Sequence, residues 1–168
     1  MWGLCMIFQC CKDVHREKRE LQILKEIVLI RTEGLCLIEK LEQVTDDSAI
    51  LLYCAEAKRY YTLTQPHLVD MCRHKPLGLQ QEDYTEIMTK LEREDTVQKS
   101  YISLYLLAHY SSLIDQHIVY YTEYQQEHLA LDPNDFIGHT LALLKELKYK
   151  STILMNHKAY TDDENSGI

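Results

Sequence analysis

Glycine and proline are scarce in this chain, five and three among 168 residues. Tight turns and strand hairpins draw heavily on both, so a turn-rich architecture is excluded and helices joined by few connections fit. Positive charge is short as well. Lys and Arg number 18 against 26 Asp and Glu, a net charge of −8, which repels phosphate backbones and argues against nucleic acid as a partner. No Cys-x-x-Cys pair occurs, so a zinc ribbon or a thioredoxin-type site has no support. No Glu-x-x-His occurs either, which excludes the helical di-iron pattern. There is no glycine-rich phosphate loop, no Gly-x-Ser-x-Gly elbow and no repeat of solenoid length.

The candidate ligands that are present do not assemble into a pattern. His67, Cys72 and His74 match no common zinc spacing. His109 and His117 share a helix face with Asp115 between them but have no obvious nucleophile, and a solvated or interface role fits them better than catalysis. The sequence therefore predicts a non-enzyme with no cofactor and no metal.

What the chain does have is helical periodicity. From Gln81 to Leu129 there is no Gly or Pro, and Tyr84, Ile87, Met88, Leu91, Tyr101, Tyr105, Ala108, Leu113, Val119, Tyr120 and Tyr124 fall mostly three or four apart. The spacing predicts one very long helix, roughly 70 Å at about 1.5 Å per residue. Around it the pattern places three others. The first covers Glu17 to Thr32, ended by Gly34 as a C-cap and followed by a short apolar turn or helix to Val44. The second covers Ser48 to Lys75 and is kinked or split by Pro66. The last runs to about His157 from the start signal Asp132-Pro133-Asn134-Asp135. The fold class is all-α, an elongated bundle or hairpin of about four main helices built on the long one. One domain over 17–157 follows a membrane-proximal anchor at 1–16, with 158–168 read as a disordered acidic tail.

Six cysteines are present. Cys36, Cys54 and Cys72 lie among apolar neighbours and read as small core residues with free thiols. Cys5, Cys10 and Cys11 fall in the stretch MWGLCMIFQCC, which carries no sign of a secretory signal. Eleven residues cannot span a bilayer, which takes about twenty. Thiols in so apolar a setting are instead candidates for acylation, each buried methylene adding roughly 0.8 kcal/mol of membrane affinity. The alternative is that the stretch packs against the bundle. Further along, Tyr101, Tyr105, Tyr110, Tyr120, Tyr121 and Tyr124 crowd one helix. They point in too many directions for a narrow core, so they read as a surface for a partner or for self-assembly.

One resemblance rests on the order of features. The N-terminal cysteine cluster is followed by Ala55-Glu56-Ala57-Lys58-Arg59-Tyr60, and then by Cys72-Arg73-His74-Lys75-Pro76-Leu77-Gly78-Leu79 before a long helix. Over Met1 to Leu129 this resembles the palmitoylated tegument proteins of herpesviruses, which assist envelopment of the virion. The resemblance implies a helical core similar to that of the ESCRT-III membrane-remodelling proteins. It also implies acylation among Cys5, Cys10 and Cys11, a second tegument protein as partner, and a place on the cytoplasmic face of Golgi-derived membranes. Together these readings predict a membrane-anchored scaffold or adaptor that recruits a protein partner or forms a homo-oligomer. The competing expectation is a soluble, cytoplasmic helical module, of the host-response antagonist type, that grips a partner helix in a groove.

Overall fold

The computed structural model describes the backbone of residues 3–93, 101–128 and 135–165, and the side chains of 15–92, 101–126 and 135–158. Every regular element in it is a helix: α1 (Gly3–Val44), α2 (Ser48–Cys72), α3 (Gln81–Arg93), α4 (Ile102–His128) and α5 (Phe136–Asn165). The all-α reading holds. The helices α1, α2, α5 and α4 each pack on the next and close a ring, while α3 rests on α1.

Cross-contacts set the directions. In α1 and α4, Glu20 accepts from Tyr124 Oη at 3.3 Å and Ile27 lies opposite His117, so the pair is antiparallel. In α2 and α5, Asp47 meets Lys158 at 3.0 Å, Glu56 meets Lys150 at 2.9 Å, and His67 stacks on Phe136 at 4.6 Å. That pair is antiparallel too. The remaining neighbours, α1 with α2 and α4 with α5, follow the same rule. The interior is filled by Leu24, Ile27, Leu37, Ile38 and Leu41 of α1, Ile50 of α2, Leu106, Leu107 and Ile114 of α4, and Leu144 of α5, all fully buried.

Several boundaries differ from the expectation. The stretch from Gln81 to Leu129 is described as two helices, α3 and α4, and residues 94–100 and 129 between and beyond them lie outside the described residues. The longest element is α1, with 42 residues, or roughly 60 Å. It passes through Gly34 without stopping, because the groups on both sides are core. A mid-helix glycine costs only about 1 kcal/mol against alanine, which packing can override. At α2 the prediction of two shorter helices is corrected, since the helix runs unbroken through Pro66. A proline removes one ladder bond. Next to it, buried Arg31 of α1 donates to the Tyr61 carbonyl, to Thr64 Oγ1 at 2.8 Å and to Gln65 Oε1 at 3.0 Å, supporting the turn that Pro66 weakens. Finally, α5 continues to Asn165, through most of the stretch read as a disordered tail. No Gly or Pro interrupts it after Gly138, and Lys158 is tied to Asp47.

The Thr45-Asp46-Asp47 boundary falls where expected. Asp47 caps α2 by accepting from the Ala49 N–H at 2.8 Å and the Ile50 N–H at 3.2 Å.

Candidate functional site

The six tyrosines do not form one surface. Tyr110 and Tyr121 are fully buried and Tyr124 nearly so, which corrects their assignment to an assembly face. Each presents a large ring to the centre of a bundle wide enough to take it. Tyr110 meets Tyr53 edge-on with ring centroids 6.0 Å apart, and Tyr121 lies beside His117. Tyr120 is half-buried. Of the six only Tyr101, just before α4, and Tyr105, on it, are well exposed. The side chains of Cys5, Cys10 and Cys11 lie outside the described residues.

The helix that carries those cysteines has a distinctive point of departure. His15, Arg16, Glu17, Lys18 and Arg19 are all exposed. Five successive residues span more than a full turn of a helix, so exposed side chains are found all the way round α1 there. Glu20, the next residue, pairs with Lys75 of the α2–α3 connection and with Tyr124.

The candidate metal and catalytic groups scatter. His67 stacks on Phe136, His109 reaches Glu33 at 3.4 Å, and His117 is buried against the Ile27 carbonyl at 3.4 Å. The reading of His117 as a solvated or interface group is therefore corrected: it is core, and burial pushes its imidazole down to about 3. Among the described residues no group of His, Cys, Asp and Glu could hold a metal ion. Cys36, Cys54 and Cys72 are free thiols, Cys54 buried and the other two half-buried. Burial raises the thiols of all three, Cys54 up to about 12, which leaves them poor nucleophiles.

The interior between α1, α2 and α4 is unusually polar. The Arg31 guanidinium lies over the rings of Tyr60 and Tyr61 at 5.6 and 4.8 Å. The hydroxyls of Tyr60, Tyr110 and Tyr121 there, and that of Thr140 on α5, are buried with no hydrogen-bond partner among the described residues.

On the opposite side of the ring, α2 and α5 leave a trough that the sequence reading did not anticipate. Two depressions of about 360 and 260 Å³ share Glu56 and Lys150. Leu52, Leu63 and Ile153 stand along it 65%, 53% and 47% exposed. At its middle Lys150 bridges Glu56 at 2.9 Å and Glu146 at 2.8 Å, and these contacts raise the lysine and hold the Glu146 carboxyl down. The signal was present in the spacing: residues 52, 56, 59, 63 and 143, 146, 150, 153 recur at three and four, one position off the buried stripes.

Compared with family models, curated proteins and solved structures, the chain matches none. The class defined by the fold is a helical bundle whose first helix carries five successive exposed residues at 15–19.

Proposed function

We propose that this protein is a non-enzymatic, membrane-anchored helical scaffold that recruits a protein partner or further copies of itself on the cytoplasmic face of membranes. The observation that carries this reading is the run of exposed residues at 15–19. The apolar, cysteine-rich stretch precedes these exposed residues on the same helix. Acyl chains on Cys5, Cys10 and Cys11 would hold the arm to lipid, two or three of them making release slow. Among the described residues no helix is long and apolar enough to cross a membrane.

The order of features shared with the herpesvirus tegument proteins supports placing this scaffold in virion envelopment at Golgi-derived membranes, with a second tegument protein as partner. Tyr101 and Tyr105, at the start of α4, supply exposed aromatic area for such a contact. The test is fractionation of eukaryotic cells expressing the wild type and the chain with Cys5, Cys10 and Cys11 all changed to Ser. The wild type should sediment with membranes and lose them after hydroxylamine, and the variant should stay soluble. Equal partitioning of the two would refute the anchor.

A further inference from the structure

The trough along α2 and α5 has an order that fits itself. Followed from one end, it presents Leu52 across from Ile153, Glu56 across from Lys150, Arg59 across from Glu146, and Leu63 across from Leu143. The ends are apolar and the middle is charged, with opposite signs facing each other at both charged levels. The middle is also incompletely paired. Two carboxylates share Lys150, while Arg59, exposed, meets no carboxylate among the described residues. From Leu52 to Leu63 the trough runs about 16 Å, eleven residues of helix.

We propose that the occupant of this trough is the same trough of a second copy, the two related by a two-fold axis parallel to the bundle. In a two-fold interface each contact occurs twice with its partners exchanged. Leu52 then packs on Ile153 of the second copy and Leu63 on its Leu143. Glu56 faces Lys150 of the second copy, and Arg59 gains the acid it lacks in Glu146 of that copy. Each α2 lies antiparallel to the α5 it meets, as in the ring itself. An unrelated protein segment would have to reproduce this sequence of apolar, acidic, basic and apolar groups, whereas a second copy supplies it. The choice of this axis rests on the anchored reading: it sends both α1 arms out at the same end of the pair, toward one membrane.

The test is sedimentation equilibrium of the full chain, unacylated from a bacterial host and kept in reductant, so that no lipid enters the assay. A monomer–dimer equilibrium is expected. Leu52→Asp should weaken it roughly tenfold or more by placing a charge in an apolar contact, and Arg59→Glu should do the same by setting two acids face to face. Adding Glu146→Arg to Arg59→Glu re-creates an opposite pair and should return the constant to within about threefold of wild type. All three positions are exposed, so helicity and melting temperature should hold across the set. A chain still monomeric at roughly 100 µM, weaker than most specific association, would overturn the proposal and leave the trough to another protein. So would an association that Leu52→Asp and Arg59→Glu leave unchanged, or one that the charge reversal does not restore. Loss of membrane binding in the cysteine variant bears on the anchor alone, and the present assay bears on the trough alone.

Discussion

Replacing Gly34 with Ala tests whether the buried tyrosines are packed as described. On helix propensity alone the change should help, since alanine is favoured over glycine in a helix interior by about 1 kcal/mol. The packing says otherwise. A Cβ at Gly34 would lie 2.2 Å from Tyr61 Oη and 3.3 Å from both Tyr61 Cζ and Tyr110 Cε2. Tyr61 cannot swing away freely, because its ring is buried beneath the Arg31 guanidinium and against Tyr60. Overpacking of this kind costs about 1–3 kcal/mol. At the upper end of that range, less the propensity gain, Gly34→Ala should lose about 2 kcal/mol, or roughly 4–8 °C in melting temperature for a chain of this size. Tyr61→Phe removes the oxygen that the new methyl would strike. Combined with Gly34→Ala it should therefore be more stable than the sum of the single changes by about 2 kcal/mol, read from urea unfolding of the four proteins. A Gly34→Ala protein more stable than wild type, or a cycle with no coupling, would show that α1 and α2 do not approach as closely as Gly34 permits.

Two other core groups make independent predictions. His117 is neutral in the fold at about 3 and would titrate near 6.5 in the unfolded chain, so the stability it allows is whole above 6.5 and drains as pH falls toward 3. By pH 5 the loss is about 2 kcal/mol, and the stability difference between wild type and His117→Leu should shrink by that amount between pH 7.5 and 5. A difference independent of pH would mean that the imidazole is not held neutral. Arg31→Lys keeps the charge but cannot make three bonds to the Tyr61 carbonyl, Thr64 and Gln65 from one fork; it should cost about 2 kcal/mol in denaturant melts, and a neutral result would remove Arg31 from the support of Pro66.

The sequence made helix type legible because its apolar residues recur at three and four almost throughout, and a polar cap such as Asp47 announces itself locally. Helix ends marked by single residues were less legible. Gly34 carries the same local signal whether it stops a helix or gives a facing ring room, and only Tyr61, 27 positions away, decides between them. Pro66 is similar, since its effect depends on Arg31 reaching across from α1. The tyrosines of α4 were misplaced because exposure was inferred from crowding on one helix. A four-membered ring of helices offers two flanks of α4, facing α1 and α5, so Tyr110, Tyr121 and Tyr124 find cover that a narrow core would not give. The trough was hidden for the opposite reason: its charged middle makes α2 and α5 look like ordinary solvated faces.

If the arm and the trough belong to one device, they must be coupled, and the coupling can be measured. One acyl chain binds a bilayer weakly, roughly 10⁴ M⁻¹ for a myristoyl group, and a second chain on the same body makes the second insertion intramolecular. Such a link raises retention by about 10²–10⁴-fold without any new contact. A chain reduced to a single N-terminal cysteine should then depend on the trough to stay on the membrane, because pairing restores two chains per particle, while a chain with all three cysteines should not. In flotation assays Arg59→Glu should therefore release the single-cysteine protein, leave the three-cysteine protein bound, and be reversed by Glu146→Arg. Release of the single-cysteine protein to the same extent with and without Arg59→Glu, in a chain shown to dimerise, would mean that the paired arms do not reach one surface, and the two-fold axis would have to lie across the bundle instead of along it.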